Sequence, residues 1–312
     1  VDILFWGSPE FSIPSLEALF RSKHNVVGVV TREDKPAGRG RKFLSTPVKR
    51  MALEKGLDLF QPAKTTSPDF LRSVRRLSPD ISVVVAYGKI LKEETLSLPP
   101  LGSICLHPSL LPRYRGASPV QRSILAGDTE TGVTIFQMDE GMDSGDILIQ
   151  KRTPIYEGER AGELTDRLGH LSSDALLEFL RLMEAGQVHP EPQIDHDATY
   201  APKIEVEEAK IVWEEEPEKL ELESRAFDPW PGPFTYFEGE RLRLFGLKAI
   251  PAFHGSGGEP GEVVGIENDG PVVRAGGGYV KVTEFQSSGK IRMDAESWLR
   301  GRRLQIGVRF GL

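Results

Sequence analysis

The chain has 312 residues, 39% of them hydrophobic and 27% charged, a length that suggests two domains each able to bury a core. No apolar run approaches the roughly 18 residues of a membrane span, and the single cysteine, Cys105, excludes both an internal disulfide and a CxxC zinc pair. A net charge of −7 argues against a dedicated nucleic-acid coat protein, but it averages a basic stretch from Arg32 to Arg50 with an acidic one from Ile204 to Glu223.

The opening VDILFWG reads as a strand over Asp2–Trp6 closed by Gly7. It lacks the pattern of a cleavable leader, so a cytoplasmic location is expected. A helical segment follows around Phe11–Phe20; Pro14 fits only a first turn, which puts the main start near Ser12. Asn25–Thr31 is the second strand and Leu57–Gln61 a short third. Thr46-Pro47 and Ser67-Pro68 each set a capping hydroxyl before a proline, a helix-start signal. Asp80–Ala86 (DISVVVA) is β-branched enough for a strand buried on both faces. SICLH is the next strand, then come a helix over Ser118–Gly127 and strands over Val133–Asp139 and Ile147–Ile155. Arg160–Gly186 carries apolar residues at helical period (Leu164, Leu168, Leu171, Ala175, Leu176, Phe179, Leu182).

This alternation predicts an α/β domain over 1–188, a doubly wound, mainly parallel, Rossmann-like sheet with ligands beyond the strand carboxyl ends. Residues 189–206, proline-rich and without periodicity, read as a linker. Beyond them RLRLFGLKAI, GEVVGI, GPVVRA and GYVKVTEFQ are short strands between Gly-rich turns. They predict a smaller C-terminal β-barrel (OB-like) domain over 207–312.

The first strand-to-helix turn is GSPEF, not GxGxxG, and no GxxxxGK[ST] occurs. Without HExxH or clustered histidines, no metal site is expected. Chemistry concentrates in SICLHPSLLPRYRG (Ser103–Gly116). Positions two apart on a strand share a side, so Cys105 and His107 point into one space. They read as a nucleophilic Cys–His pair, as a core histidine beside a chance cysteine, or as part of an acid–base site. Pro108 and Pro112 stiffen the segment that follows. DEGMDSGDIL (Asp139–Leu148) offers Asp143 and Asp146 in a Gly-flanked loop, where turn chemistry alone would also place them. A loop carboxylate beside a strand-end histidine would form an acid–base couple with a cationic imidazole.

SICLHPSLLPRYRG followed by PVQRSILAGDTETGVTIFQMDEGMDSGDIL resembles the folate-dependent formyltransferase family. GSPEF, VVTREDKPAGRGRK, TPVK, VVVAYGKIL and RAFDPWPGPF extend the likeness over essentially the whole chain, toward the members that act on aminoacylated tRNA. The resemblance implies transfer of a formyl group from 10-formyltetrahydrofolate to the amino group of methionine on initiator tRNA, by direct attack through a tetrahedral intermediate. It puts His107 on the oxyanion and makes Asp143 the acceptor of the ammonium proton. Ser109, Leu110, Leu111 and Pro112, with Val85, Tyr87, Gly88 and Ile90, become walls of the folate pocket. Lys35, Arg39, Arg41 and Lys42 meet tRNA phosphates, with Arg39 at the acceptor end, and the C-terminal domain binds tRNA. A monomer without metal is implied. Lys290, Arg292, Arg300, Arg302, Arg303 and Arg309 read either as a second phosphate track or as solvated charge. The sequence departs from the family pattern at Cys105, where the family has asparagine. Alternatives from the residues are a small-amine formyltransferase, a Cys105–His107–Asp143 formyl hydrolase, and an RNA-binding protein without turnover.

Overall fold

In β1 (Asp2–Gly7) alternate side chains feed two separate cores. Ile3 and Phe5 pack with α1 (Ile13–Phe20), α2 (Pro47–Glu54) and the 175–180 stretch of α6 (Ala161–Glu184). Leu4 and Trp6 pack with α3 (Pro68–Leu77) and α4 (Glu93–Leu96). A strand apolar on both faces must be covered on both faces, which is the physical content of a doubly wound sheet. Each fully buried Leu or Phe contributes about 1.5–3 kcal/mol, so the register is strongly specified.

The computed structural model describes the chain except residues 38–41, 251–252, 254–256, 268, 303 and 312; for Pro36, Ala37 and Lys42 only the backbone is described. Two compact units emerge. Unit 1 comprises Val1–Pro119, Glu130–Pro154 and Thr165–Ala201; unit 2 comprises Val120–Thr129, Ile155–Leu164 and Pro202–Leu312.

The remaining strands of unit 1 are β2 (Asn25–Val30), the antiparallel pair β3 (Lys35–Ala37) and β4 (Lys42–Leu44), β5 (Leu59–Phe60), β6 (Ile81–Val85), β7 (Ser103–His107), β8 (Arg115–Gly116), β9 (Glu130–Gln137), β10 (Ile147–Pro154) and β11 (Tyr200–Ala201). The main sheet runs β10-β9-β7-β6-β1-β2-β5. Its last five strands in that order are parallel, while β9 lies antiparallel to both β7 and β10. The Rossmann-like expectation therefore holds, with one reversed strand, β9, next to the edge strand β10. Thr46 caps α2 as expected, its Oγ1 accepting the Lys49 N–H at 3.0 Å. Ser67 precedes α3 in extended conformation but makes no capping bond. Residues 189–201, read from the sequence as linker, hydrogen-bond within unit 1. Ile147 and Glu191 exchange main-chain bonds, and β11 pairs parallel with β8.

Unit 2 contains β12 (Phe234–Phe237), β13 (Glu240–Ile250), β14 (Val263–Glu267), β15 (Gly270–Arg274), β16 (Tyr279–Ser287) and β17 (Met293–Asp294). They form an antiparallel sheet in the order β12-β13-β16-β15-β14, with β17 on β16. The C-terminal segment links its two edges: Phe310 N–H donates to the Gly261 carbonyl and Gly311 N–H to the Tyr236 carbonyl, each at 2.8 Å. Inside, Trp298 of α8 (Ala295–Arg300) stacks on Phe285 at 4.3 Å. Asp228, 4% exposed, receives both Nη atoms of Arg292 at 2.9 Å, and Arg160 approaches it at 3.1 Å. Arg292, expected on a phosphate track, is thus spent in the fold. Arg300 pairs with Glu296, Arg302 lies over Trp298, and Arg309 donates to the Pro260 carbonyl; Arg303 lies outside the described residues.

Glu223 on α7 (Pro217–Ala226) gives this unit a pH signature. Burial pushes its carboxyl up to about 7, with Lys219 opposing and Glu215 adding to the rise. A raised acid binds its proton more tightly in the folded chain, so stability falls as pH rises from about 4.3 to the folded value and is flat above it. Glu223→Gln should therefore raise the unfolding temperature at pH 8, with the gain vanishing toward pH 4 in a melting series.

Candidate active site

β7 ends at His107, next to β6 and its carboxyl-end segment Ala86–Ile90, so the imidazole lies along the edge where doubly wound sheets bind ligands. His107 is 4% exposed and Cys105, two residues earlier, is half-buried. The His107 Nε2 lies 2.9 Å from the Tyr114 carbonyl. A carbonyl only accepts, so Nε2 carries a proton and is occupied. Nδ1 points the other way, 3.6 Å from Asp143 Oδ2. That separation suits an ion pair but is too long for a direct hydrogen bond. Asp143 Oδ2 is itself fixed by the Gly116 N–H at 2.8 Å. The sequence-predicted couple is therefore assembled, with Nδ1 and a carboxylate oxygen facing each other.

Cys105 behaves unlike a nucleophile. Burial, reinforced by the Asp143 charge, pushes its thiol well above the usual cysteine range. At neutral pH it remains S–H, a weak donor, and no ion pair or hydrogen bond joins it to His107 among the described residues.

The loop after His107 is held by Thr134, which lies opposite His107 in the β7–β9 register and is fully buried. Its hydroxyl donates to the Ser109 carbonyl at 2.7 Å and accepts the Leu111 N–H at 3.1 Å and Gln150 Nε2 at 3.0 Å. Gln150 Nε2 also donates to the Leu111 carbonyl at 2.7 Å, and the Leu111–Pro112 bond is cis. Ser109 and Leu111 are buried, whereas Leu110 and Pro112 are half-buried. Most main-chain groups of this wall are consumed internally; the Leu110 N–H has no partner among the described residues.

The opposite wall divides. Val85 and Tyr87 are buried, and their carbonyls accept from Ser12 and Ser8. The Tyr87 ring packs edge-on against Trp6 at 5.2 Å, and burial pushes its phenol up to about 12. Its side chain thus belongs to the core. Gly88 and Ile90 are exposed, and their main-chain groups have no partner among the described residues. Such free N–H and C=O groups fit a flat heteroaromatic ring with donors and acceptors on its edge.

The two arginines of RYRG differ: Arg113 is exposed, Arg115 is buried. Arg113 lies over the Tyr114 ring, and Arg115, 4% exposed, donates to Gln193 and Asp195. Among the basic-loop residues, Lys35 is exposed, Arg39 and Arg41 lie outside the described residues, and only the backbone of Lys42 is described. Gln193, Thr134 and Gln150 escaped sequence reasoning. Gly116 carried a faint signal: a Cβ there would sit 2.8 Å from the Ala201 carbonyl oxygen.

Two family models match the chain, formyl transferase over residues 2–180 and formyl transferase, C-terminal domain, over residues 203–303. The chain is 46% identical over 309 residues to the methionyl-tRNA formyltransferase of Symbiobacterium thermophilum, covering 99% of this chain and 94% of that protein. Among solved structures, the methionyl-tRNA formyltransferase from Clostridium thermocellum superposes with a TM-score of 0.56 at 15% identity, covering 90% of this chain and 98% of that one. HypX from Aquifex aeolicus in complex with tetrahydrofolic acid gives a TM-score of 0.63 at 20% identity, covering 95% of this chain and 46% of that one. At these identities the two structures speak for the fold alone.

Proposed function

The chain belongs to the methionyl-tRNA formyltransferases of the formyl transferase family, and on that premise we propose that it moves the formyl group of 10-formyltetrahydrofolate onto the amino group of methionine carried by initiator tRNA. The observation that carries the reading is the facing pair of His107 Nδ1 and Asp143 Oδ2, 3.6 Å apart.

Amine attack on a formyl carbon creates an oxyanion and an ammonium proton. Because Tyr114 occupies Nε2, Nδ1 of protonated His107 is the donor left for the oxyanion. Asp143, with one oxygen steadied by the Gly116 N–H, accepts the ammonium proton directly or through a water. The Cys105 S–H supplies a second, weaker donor from the same side of β7. The unpartnered main-chain groups of Gly88, Ile90 and Leu110 would hold the donor's heterocyclic edge. A protonated thiol supports direct transfer and leaves the hydrolase reading without a nucleophile.

For tRNA, the basic loop around Arg39 is the acceptor-end contact in this reading, and a cleft in unit 2 adds a backbone contact. Arg241, Arg243 and Lys290 line that cleft with Gln286, Ser287, Ser288 and Gly289, and no carboxylate is among them. Of the C-terminal basic residues that read either as a phosphate track or as solvated charge, this cleft takes in Lys290. Arg39→Ala should lower kcat/KM for tRNA roughly tenfold and flatten its salt dependence, with the KM for folate unchanged. An equal weakening toward folate would make the loop structural. The overall assignment is tested by formylation of methionyl-tRNA with 10-formyltetrahydrofolate; formylation of a small amine in its place would overturn it.

A further inference from the structure

Asp143 takes a left-handed backbone conformation (φ 52°), which aspartate tolerates better than most residues with a Cβ, and the loop that holds it there has outside support. That support comes from residues 193–201. Gln193 Nε2 donates to the Asp143 carbonyl at 2.9 Å and to the Gly145 carbonyl at 2.7 Å, clamping the loop on both sides of Ser144. The amide oxygen of Gln193 accepts Arg115 Nε at 3.0 Å, and both Nη atoms of Arg115 reach Asp195 Oδ1 at 3.0 Å. Arginine only donates and carbonyls only accept, so the amide has a single consistent orientation. The same segment sets the side chain of Asp143. Arg115 N–H donates to the Thr199 carbonyl at 2.8 Å, and β8 pairs with β11, which aims the Gly116 N–H at Asp143 Oδ2.

We infer that Gln193 is a positioning residue for the proton acceptor Asp143, fixing its backbone while Arg115 fixes the amide. The inference rests on the function proposed above and extends it to a residue that touches no reacting atom. A glutamine is required because one end must donate to two carbonyls while the other accepts from a guanidinium. A hydrocarbon chain does neither, and a carboxylate cannot donate.

The test is steady-state formylation of methionyl-tRNA by the full chain carrying Gln193→Met or Gln193→Glu. Both should lower kcat about tenfold and leave both KM values within about twofold, because geometry at the acceptor is lost and binding is not. Gln193→Glu retains the partner of Arg115, so a deficit there with an unchanged unfolding midpoint assigns the loss to the two carbonyl bonds. In an Asp143→Asn background, adding Gln193→Met should have less than about a threefold further effect. An equal loss in both backgrounds, a rise in folate KM at constant kcat, or full activity of both variants would overturn the inference. An inactive wild-type enzyme would instead overturn the function on which it rests.

Discussion

His107→Ala and Asp143→Asn should each lower kcat by about 10²–10³-fold while changing the KM for tRNA little. The magnitude follows from where the groups stand. His107 is 4% exposed, so its donor acts on developing charge in a site largely free of competing water. Alanine removes the donor and also the 2.9 Å bond from Nε2 to the Tyr114 carbonyl. Asp143→Asn keeps the shape and an acceptor for Gly116 N–H but removes the base and the charge facing Nδ1. Because the two residues act on one transition state, the double variant should be little worse than the weaker single one. Full additivity in single-turnover kinetics would show that they do not work as a pair.

Cys105→Asn should raise kcat by about 10- to 100-fold. A carboxamide N–H is a far better donor to an oxyanion than a thiol, and one such donor is typically worth about 10²–10³ in rate. The side chain projects from β7 on the side of His107, paired in register with Val84 and Phe136, so an amide there would be directed toward the same site. The rise should appear in kcat at saturating tRNA and folate. A fall to the level of His107→Ala would mean that the sulfur has a chemical part of its own.

Much of this architecture was legible in the sequence because it rests on local patterns. DILFW and ISVVV are apolar on both faces and so announced a covered parallel sheet, and Thr46-Pro47 announced α2. His107 and Asp143 were legible as chemistry, since a strand-end histidine and a Gly-flanked carboxylate are unusual together. What stayed hidden depends on long-range partners. Gln193 meets a carbonyl 50 residues away and Arg115 meets Asp195 80 residues away, and neither spacing leaves a periodic trace. For the same reason 189–201 read as a linker although it pairs with β8. Tyr87 shows the opposite limit: its motif pointed to the pocket, but the left-handed backbone at Ala86 (φ 49°) breaks the alternation of β6 and carries the ring to the Trp6 side of the sheet. Arg292 read as free positive charge until Asp228 and Glu284 were seen to surround it.

The claim on which the account turns is that the formyl group passes straight from folate to the amine, with Cys105 a protonated, weak donor at the oxyanion that forms no bond to carbon. Intact-protein mass spectrometry after mixing the enzyme with 10-formyltetrahydrofolate, in the absence of tRNA, tests it most directly. The account predicts an unmodified chain; a formyl adduct on Cys105 that disappears when methionyl-tRNA is added would contradict it.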